Sequence, residues 1–161
     1  MNAFDRAVDF VLEYEGGLVD DPADAGGVTK FGISQRAYPD LNIRELTTPA
    51  ARQIYYEDYW LKCKCPELPY PLAMLVFDSA VNQGPSAAIK MLQQALGTEP
   101  DGVVGPITIA AGHRAELRKV TVDLAARRAL RYALHPQVQQ FGLGWYRRLM
   151  ACLELTQEPL G

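Results

Sequence analysis

The sequence predicts a mainly α-helical fold in which a small lobe with a short β-hairpin lies beside a helical bundle. Apolar residues recur at three- and four-residue steps through most of the 161-residue chain, which is typical of helices with one buried face. The exception is the glycine-rich segment 15–32, where Leu18-Val19 and Val28 to Phe31 can pair as two strands. A cleft between the lobe and the bundle is the expected place for a ligand.

The composition is that of an ordinary globular protein, because 48% of the residues are hydrophobic and 22% are charged. A net charge of −3 argues against nucleic acid as a partner, for which a basic surface is expected. We expect a monomer without stable membrane association, since no apolar run is long enough to span a bilayer. The first residues form an amphipathic pattern and no signal peptide, which predicts a cytoplasmic location.

The three cysteines do not suggest a disulfide framework, because their number is odd and two of them are separated by one residue. Cys63, Cys65 and Cys152 are therefore expected to be reduced thiols. A zinc site that combines them with His113 or His135 is a weaker alternative, since Cys-x-Cys is not the usual zinc spacing. We expect neither a metal nor a cofactor.

The first helix is predicted to place a glutamate against its own apolar face. The apolar stripe of this helix consists of Phe4, Ala7, Val8, Val11 and Leu12. Glu15 is the next position on the stripe, and Gly16-Gly17 ends the helix. Desolvation and the negative end of the helix dipole both disfavour a charged carboxylate there, so Glu15 is expected to hold a proton as a general acid does. The alternative is a partly exposed residue of the last turn without a chemical role.

Three more carboxylates follow in the predicted hairpin loop. Asp20, Asp21 and Asp24 can be brought back towards Glu15, which suggests chemistry that uses two carboxyl groups. A calcium loop would alternate its acids and end in a bidentate glutamate, whereas no acid follows Asp24 until Asp40. A metal site is therefore the weaker interpretation.

This segment resembles the signature of a known family. The resemblance lies in the run from Glu15 to Pro22 and continues through Asp24, Gly26-Gly27, Thr29 and Phe31-Gly32-Ile33. The signature is that of glycoside hydrolase family 108, the N-acetylmuramidases found among phage endolysins. The order Glu, Asp, Thr is also similar to the triad of phage-type lysozymes, in which eight and then five residues separate the three positions. Here the separations are eight and four.

The resemblance implies a lysozyme-like fold and a catalytic set of Glu15, Asp24 and Thr29. Because the second separation is one residue short, Asp20 and Asp21 remain rivals for the second carboxylate and are otherwise candidates for substrate binding. The implied role of Glu15 is to protonate the leaving oxygen. Asp24 would stabilise oxocarbenium charge or help to orient a water molecule, and Thr29 would position that water.

Two further segments follow before the centre of the chain. Ser34 can cap a short helix that Pro39 ends, and Thr47-Thr48-Pro49 starts a longer one. The longer helix carries Tyr55, Tyr56, Tyr59 and Trp60. Aromatic rings can pack on sugar rings, although core packing explains each of them more simply. Tyr56 lies off the face that Tyr55 and Tyr59 share and is the substrate-binding candidate.

The segment 72–81 is apolar nearly all round, which predicts a central buried helix. Asp78 within it is expected to be a buried carboxylate held by hydrogen bonds, with a catalytic role as the alternative. Asn82 lies one turn beyond Asp78, and Gln83 follows. Their amides are candidates for binding N-acetyl or hydroxyl groups of a substrate, and the alternative is that they cap the helix.

The C-terminal half is predicted to be helical over 86–96, over 114–134 and from Pro136 onwards. The run Asp101 to Thr108 resembles an element of peptidoglycan-binding modules, and together with Ala80 to Pro85 it resembles the second half of family 108 enzymes. We therefore expect a catalytic region over 1–70 and a peptidoglycan-binding region over 71–161, packed as one globule. The basic residues of 114–134 are interpreted as a solvated face, and contact with anionic wall polymer or lipid is left open.

The resemblance implies hydrolysis of the β-1,4 bond between N-acetylmuramic acid and N-acetylglucosamine in bacterial peptidoglycan. It further implies an endolysin that lyses the host cell and depends on a phage holin to pass from the host cytoplasm to the periplasm. Two other functions stay open, a lytic transglycosylase and a non-catalytic module that binds the cell wall.

Overall fold

The computed structural model describes residues 2–20 and 27–159. Seven α-helices and three short strands make up the regular structure of these residues: α1 Ala3–Glu15, β1 Leu18–Val19, β2 Thr29–Lys30, β3 Ile33–Ser34, α2 Thr48–Tyr55, α3 Tyr70–Gln83, α4 Pro85–Leu96, α5 Pro106–Arg114, α6 Leu117–Ala133 and α7 Val138–Leu155. A π-helical segment, Tyr56–Leu61, continues α2, and 3₁₀ turns lie at Ile43–Glu45 and Cys65–Glu67. The predicted mainly α fold with a small β lobe is confirmed.

The small lobe is a three-stranded antiparallel sheet in the order β1-β2-β3. Leu18 pairs with Lys30 and Val19 with Thr29, which confirms the predicted hairpin. The helix predicted to start at Ser34 is wrong. Ser34 belongs to β3, and its hydroxyl accepts a hydrogen bond of 3.2 Å from the backbone N–H of Ala37, so the chain forms a turn there.

Helix α3 lies at the centre of the bundle and packs against α1, α4, α6 and α7. Every residue from Leu72 to Ala80 is buried, as the apolar pattern predicts. Helix α1 contributes Val8 and Val11 to the same core, and α7 contributes Leu149. Ile33 of β3 belongs to the same buried cluster, so the small lobe and the bundle share one hydrophobic interior.

The helix predicted over 114–134 is α6, Leu117–Ala133, and only Arg114 of that range belongs to α5. Ala115 and Glu116 have extended backbone angles, and they separate α5 from α6, which begins at Leu117. The interpretation of its basic residues as a solvated face is wrong for Arg128, which is fully buried. Arg128 lies four residues after the buried Leu124, so helical periodicity places it on the apolar face of α6.

The run Asp101 to Thr108 is stabilised by one buried amide from α4. The Gln93 Nε2 group donates to Asp101 Oδ1 at 2.7 Å and to the carbonyl oxygen of Val103 at 2.9 Å. The Gln93 Oε1 atom accepts from the backbone N–H of Gly102 at 2.9 Å. The buried Gln93 amide therefore holds the turn at Asp101 to Val103 in place.

All three cysteines lie in the described part of the chain and are buried. Burial raises the pKa of the Cys63 thiol to about 12, and burial also raises the pKa of Cys65 and Cys152. Within residues 2–20 and 27–159, no group of three His, Cys, Asp or Glu side chains is placed to hold a metal ion. No helix in this described part of the chain is long and apolar enough to cross a bilayer.

Candidate active site

Glu15 is the last residue of α1, and its side chain is 22% exposed. Gly16 follows with φ 71° and ψ −167°, a backbone conformation that is accessible only to glycine. The helix therefore ends at the carboxylate and the chain turns away into β1. Glu15 is the last residue of α1, as the stripe and Gly16-Gly17 predict, and its side chain is partly exposed.

The surroundings of Glu15 differ from the apolar environment that the stripe predicts. The Arg148 Nη1 group, from α7, donates a hydrogen bond of 2.6 Å to Glu15 Oε1. Arg148 is itself only 8% exposed, and its guanidinium carbon lies 5.7 Å from the centre of the Tyr14 ring. The hydrogen bond from this guanidinium fixes the orientation of the carboxyl group. The apolar stripe of α1 did not predict this contact with a charged side chain.

Arg148 also binds a second, fully buried carboxylate. The Arg148 Nε group donates to Asp78 Oδ1 at 2.9 Å, and the Arg128 Nη1 group donates to Asp78 Oδ2 at 2.6 Å. We call Glu15, Arg148, Asp78 and Arg128 the Asp78 network. With both acids ionised its formal charges cancel, which is how a protein tolerates buried ions. The expectation that hydrogen bonds hold a buried Asp78 is confirmed.

Two opposing influences act on the pKa of Asp78. Burial raises this pKa, but the charges of Arg128 and Arg148 and the hydrogen bonds from both outweigh burial, so the pKa lies below its ordinary value. The pKa of Arg148 is raised in spite of burial by the charges of Asp78 and Glu15. Both shifts favour the charged forms and therefore keep the ion pairs intact near neutral pH.

The turn between β2 and β3 lies directly over the Glu15 carboxyl group. Phe31 and Gly32 form this turn and both have positive φ, 53° and 77°. A Cβ atom placed on Gly32 would lie 2.6 Å from Glu15 Oε2. The Tyr55 hydroxyl donates to the carbonyl oxygen of Phe31 at 2.7 Å and so anchors the turn to α2. Only glycine permits this approach of the backbone to the carboxyl group.

The other candidates from the acidic loop are placed as follows. Thr29 is in β2, is partly exposed, and pairs with Val19 on one side and Ser34 on the other. Asp20 is half-exposed and forms a 2.5 Å ion pair with Arg44. Asp21 and Asp24 lie outside the described residues.

The remaining candidates lie on two different helical elements. Tyr56 is partly buried and packs edge-on against Phe4, with 4.9 Å between the ring centres. This contact places the ring between α1 and the π-helical segment. Asn82 and Gln83, near the end of α3, line a cavity of about 310 Å³ together with Tyr132 and three other residues.

Two cavities adjoin the segment 82–85. One is the cavity lined by Asn82 and Gln83, and the other, of about 340 Å³, is lined by Tyr38, Asp58, Tyr59 and Pro85 among others. Burial, and then the charges of Asp58 and Glu15, raise the pKa of Tyr59, which lines this second cavity. A larger cavity of about 790 Å³ lies between α4, α5 and α6 and contains none of the candidate residues.

Arg148 and Arg128 are the site residues that the sequence reasoning missed. A signal for Arg128 was present, since it continues the buried positions Val120 and Leu124 at four-residue spacing. Arg148 adjoins the buried Leu149 and lies four residues before the buried Cys152, so helical periodicity places it on the buried face of α7. An arginine on an apolar face can pair with a buried carboxylate, and Asp78 was the available partner.

A mainly α fold with a small β lobe and a partly buried glutamate at the end of the first helix is lysozyme-like. Residues 8–84 match the family model described as Glycosyl hydrolase 108. The structure is similar to a solved structure of Brucella abortus SagA, with a TM-score of 0.86 and 31% sequence identity over 96% of this chain and 93% of that chain. A comparison with curated proteins finds no match. The chain belongs to the glycosyl hydrolase 108 family, and its enzyme class is glycoside hydrolase.

Proposed function

We propose that this glycoside hydrolase cleaves the β-1,4 bond between N-acetylmuramic acid and N-acetylglucosamine in bacterial peptidoglycan, with Glu15 as the general acid. The observation that carries the proposal is the hydrogen bond from Arg148 to Glu15 Oε1, in a segment that matches the family model. Because Oε1 is held, Oε2 is the oxygen that can carry a proton to the glycosidic oxygen. The carboxyl group is thus oriented before substrate binds, which lowers the entropic cost of proton transfer.

As the general acid, Glu15 has to hold its proton while its Oε1 atom accepts a hydrogen bond from Arg148. Asp78 accepts a hydrogen bond from the Nε group of the same guanidinium and forms an ion pair with it. A bound substrate excludes water from this carboxyl group, whose side chain is 22% exposed in the free protein. In this mechanism the substrate-bound enzyme protonates the leaving oxygen, and the product site returns to the ion pair.

In the proposed hydrolysis Asp24 stabilises the developing oxocarbenium charge or helps to orient water, and Thr29 positions the water. The partly exposed position of Thr29 in β2, the strand that leads into the Phe31-Gly32 turn, supports the second role. Asp20 and Asp21 are the competing choices for the carboxylate. The segment 71–161 is proposed to contribute the peptidoglycan-binding surface.

The substitution Glu15→Gln tests the proposal, because glutamine has nearly the same shape and has no proton to transfer. We expect it to keep the fold, as measured by circular dichroism, and to abolish the loss of turbidity of permeabilised Gram-negative cells. Glu13→Gln is the matched control, since the residue is exposed on the same helix. Full lysis by the Glu15 variant would overturn the proposed mechanism, and wall binding without lysis by the wild type would favour a non-catalytic module.

A lytic transglycosylase is the second candidate, because such an enzyme needs an acid but no carboxylate that activates water. The supporting observation is that the carboxylate joined to Glu15 through Arg148 is Asp78, which is fully buried and bound by two arginines. Mass spectrometry of digested peptidoglycan separates the two reactions. Anhydromuramic ends identify a transglycosylase, and hydrated reducing ends identify a hydrolase.

The proposed biological role is that of a phage endolysin that accumulates in the host cytoplasm and reaches the wall through a holin. Family membership supports a role in wall degradation. Expression in a Gram-negative host tests the role. We expect rapid lysis only when a holin is expressed together with the enzyme, and equal lysis with and without it would contradict the need for a holin.

A further inference from the structure

The cavity of about 310 Å³ beside the end of α3 is lined mainly by polar side chains. Six side chains line it: Asn82, Gln83, Arg131, Tyr132, His135 and Trp145. Asn82 and Gln83 come from α3, whereas the others come from α6, from the connection after it and from α7. A concave site where a few polar groups converge beside aromatic rings is a typical place for a ligand.

A continuous series of hydrogen bonds joins this cavity to the Asp78 network. The Arg128 Nε group donates to the Tyr132 hydroxyl at 2.8 Å. That hydroxyl in turn donates to Asn82 Oδ1 at 2.7 Å. The series reaches Glu15, because Arg128 and Arg148 bind the same carboxylate, that of Asp78.

These hydrogen bonds determine which groups Asn82 and Gln83 present to a ligand. The Asn82 Oδ1 atom is occupied by Tyr132, and the Gln83 Oε1 atom accepts from Arg131 Nε at 3.0 Å. Each oxygen thus already accepts one hydrogen bond within the protein, whereas each amide keeps an NH₂ group with donors for a ligand. The terminal nitrogens of Arg131 are donors as well.

His135 adds another hydrogen-bond donor to the cavity. Its Nδ1 atom accepts a hydrogen bond of 3.2 Å from the backbone N–H of Gln137, so the neutral ring carries its proton on Nε2. The His135 ring packs perpendicular to Trp145, with 5.0 Å between the ring centres. No carboxylate of the described residues lines this cavity. This concentration of hydrogen-bond donors is a feature of the cavity and not of the whole chain, whose net charge is −3.

A pocket with one guanidinium and several N–H donors fits an anionic group that only accepts hydrogen bonds, which is the chemistry of a carboxylate. We propose that this cavity binds a carboxylate of the peptide stem attached to the muramoyl residue, with Arg131 as the residue that recognises it. The inference rests on the proposed function, since peptidoglycan carries its carboxylates on these stems. It makes the enzyme selective for glycan chains that retain their peptides.

The substitution Arg131→Gln tests this selectivity on two substrates. One is peptidoglycan chains that carry their stems, and the other is matched chains from which an amidase has removed the stems. We expect kcat/KM of the variant to fall about tenfold on the first substrate, the size expected for one charge-assisted hydrogen bond, and to stay within about twofold on the second. Arg118→Gln is the control, because Arg118 is an exposed arginine of the same helix outside this cavity.

The possible results separate the two proposals. An equal fall on both substrates, or no fall on either, overturns stem recognition and leaves the proposed hydrolysis standing. A wild-type protein that degrades neither substrate overturns the proposed hydrolysis instead.

If the wild-type protein degrades neither substrate, a binding measurement decides whether the cavity binds a carboxylate of the peptide stem. The stem tripeptide L-alanyl-γ-D-glutamyl-diaminopimelate is titrated into the wild-type protein, and the fluorescence of Trp145 is followed. Trp60, the other tryptophan, is buried in the core and gives a constant background. A saturable change that Arg131→Gln abolishes and Arg118→Gln retains supports the carboxylate site. The absence of a change in the wild type overturns it.

Discussion

Arg148 donates a hydrogen bond of 2.6 Å to Glu15 from a position 133 residues further along the chain. The same guanidinium binds Asp78 through its Nε group. The first helix, which ends at the candidate acid, is thus tied to the last helix through a charge in the centre of the bundle. This arrangement makes the orientation of the acid depend on the folding of nearly the whole chain.

The substitution Arg148→Lys is expected to lower kcat at least about tenfold and to leave KM little changed. Lysine keeps the positive charge but cannot hold Glu15 and Asp78 at the same time with planar, fixed donors. The effect therefore falls on the orientation of the acid and not on substrate binding. Steady-state kinetics on soluble glycan chains provides both parameters. Arg147→Lys, at the exposed neighbouring position, is expected to change neither, and a rise in KM alone would contradict this role of Arg148.

The substitution Asp78→Asn is expected to lower the free energy of unfolding by roughly 3–5 kcal/mol, because it leaves two buried guanidinium groups without their carboxylate. Urea denaturation at neutral pH measures the change. Asp123→Asn is the control, since Asp123 and Arg127 form an exposed pair whose loss costs less than about 1 kcal/mol. Equal losses in the two variants would contradict the importance of the buried network.

The lowered pKa of Asp78 also predicts how stability depends on pH. A carboxyl group with a lower pKa in the folded than in the unfolded protein adds stability that is complete above its unfolded value, about 3.9. This contribution is lost as the pH falls through the lower folded pKa. The wild type should therefore lose more stability than Asp78→Asn between about pH 4 and the onset of acid unfolding. Parallel curves for the two proteins would show that Asp78 does not set this dependence.

The substitution Gly32→Ala is expected to remove activity and to destabilise the protein by about 1–3 kcal/mol. A methyl group at this position would lie 2.6 Å from Glu15 Oε2 on a backbone with φ 77°, so the turn and the carboxyl group must move apart. Gly17→Ala is the control, because a Cβ atom there meets nothing within 4 Å. Thermal unfolding and turbidity assays measure the two effects. Normal activity of Gly32→Ala would show that the position of the turn does not matter.

The substitution Tyr55→Phe is expected to reduce activity about tenfold at a stability cost of about 1 kcal/mol. It removes the hydroxyl that binds the Phe31 carbonyl oxygen and so loosens the turn over Glu15. Tyr146→Phe removes a similar hydrogen bond, 3.1 Å to the carbonyl oxygen of Ala129, at a position remote from the turn. Similar losses of stability with a loss of activity only in Tyr55→Phe would support a positioning role. Equal activities would refute it.

Local patterns were enough to predict much of the fold. The stripe that ends at Glu15, the pairing of Leu18-Val19 with residues 29 and 30, and the buried helix around Asp78 were all correct. Each depends on periodicity or on helix capping within a few residues, which sequence records directly. The helix predicted after Ser34 was wrong because a hydroxyl that caps a helix can equally close a turn.

The sequence by itself determined the class of fold, the glutamate at the end of α1 and the glycines that allow the chain to turn over it. The tertiary structure decided what surrounds that glutamate. The contacts of Arg148 and Arg128 with Glu15 and Asp78 join residues 50 to 133 positions apart, and such pairings depend on how helices pack. Periodicity shows which face of a helix is buried, but the charge that it meets there is supplied by another helix.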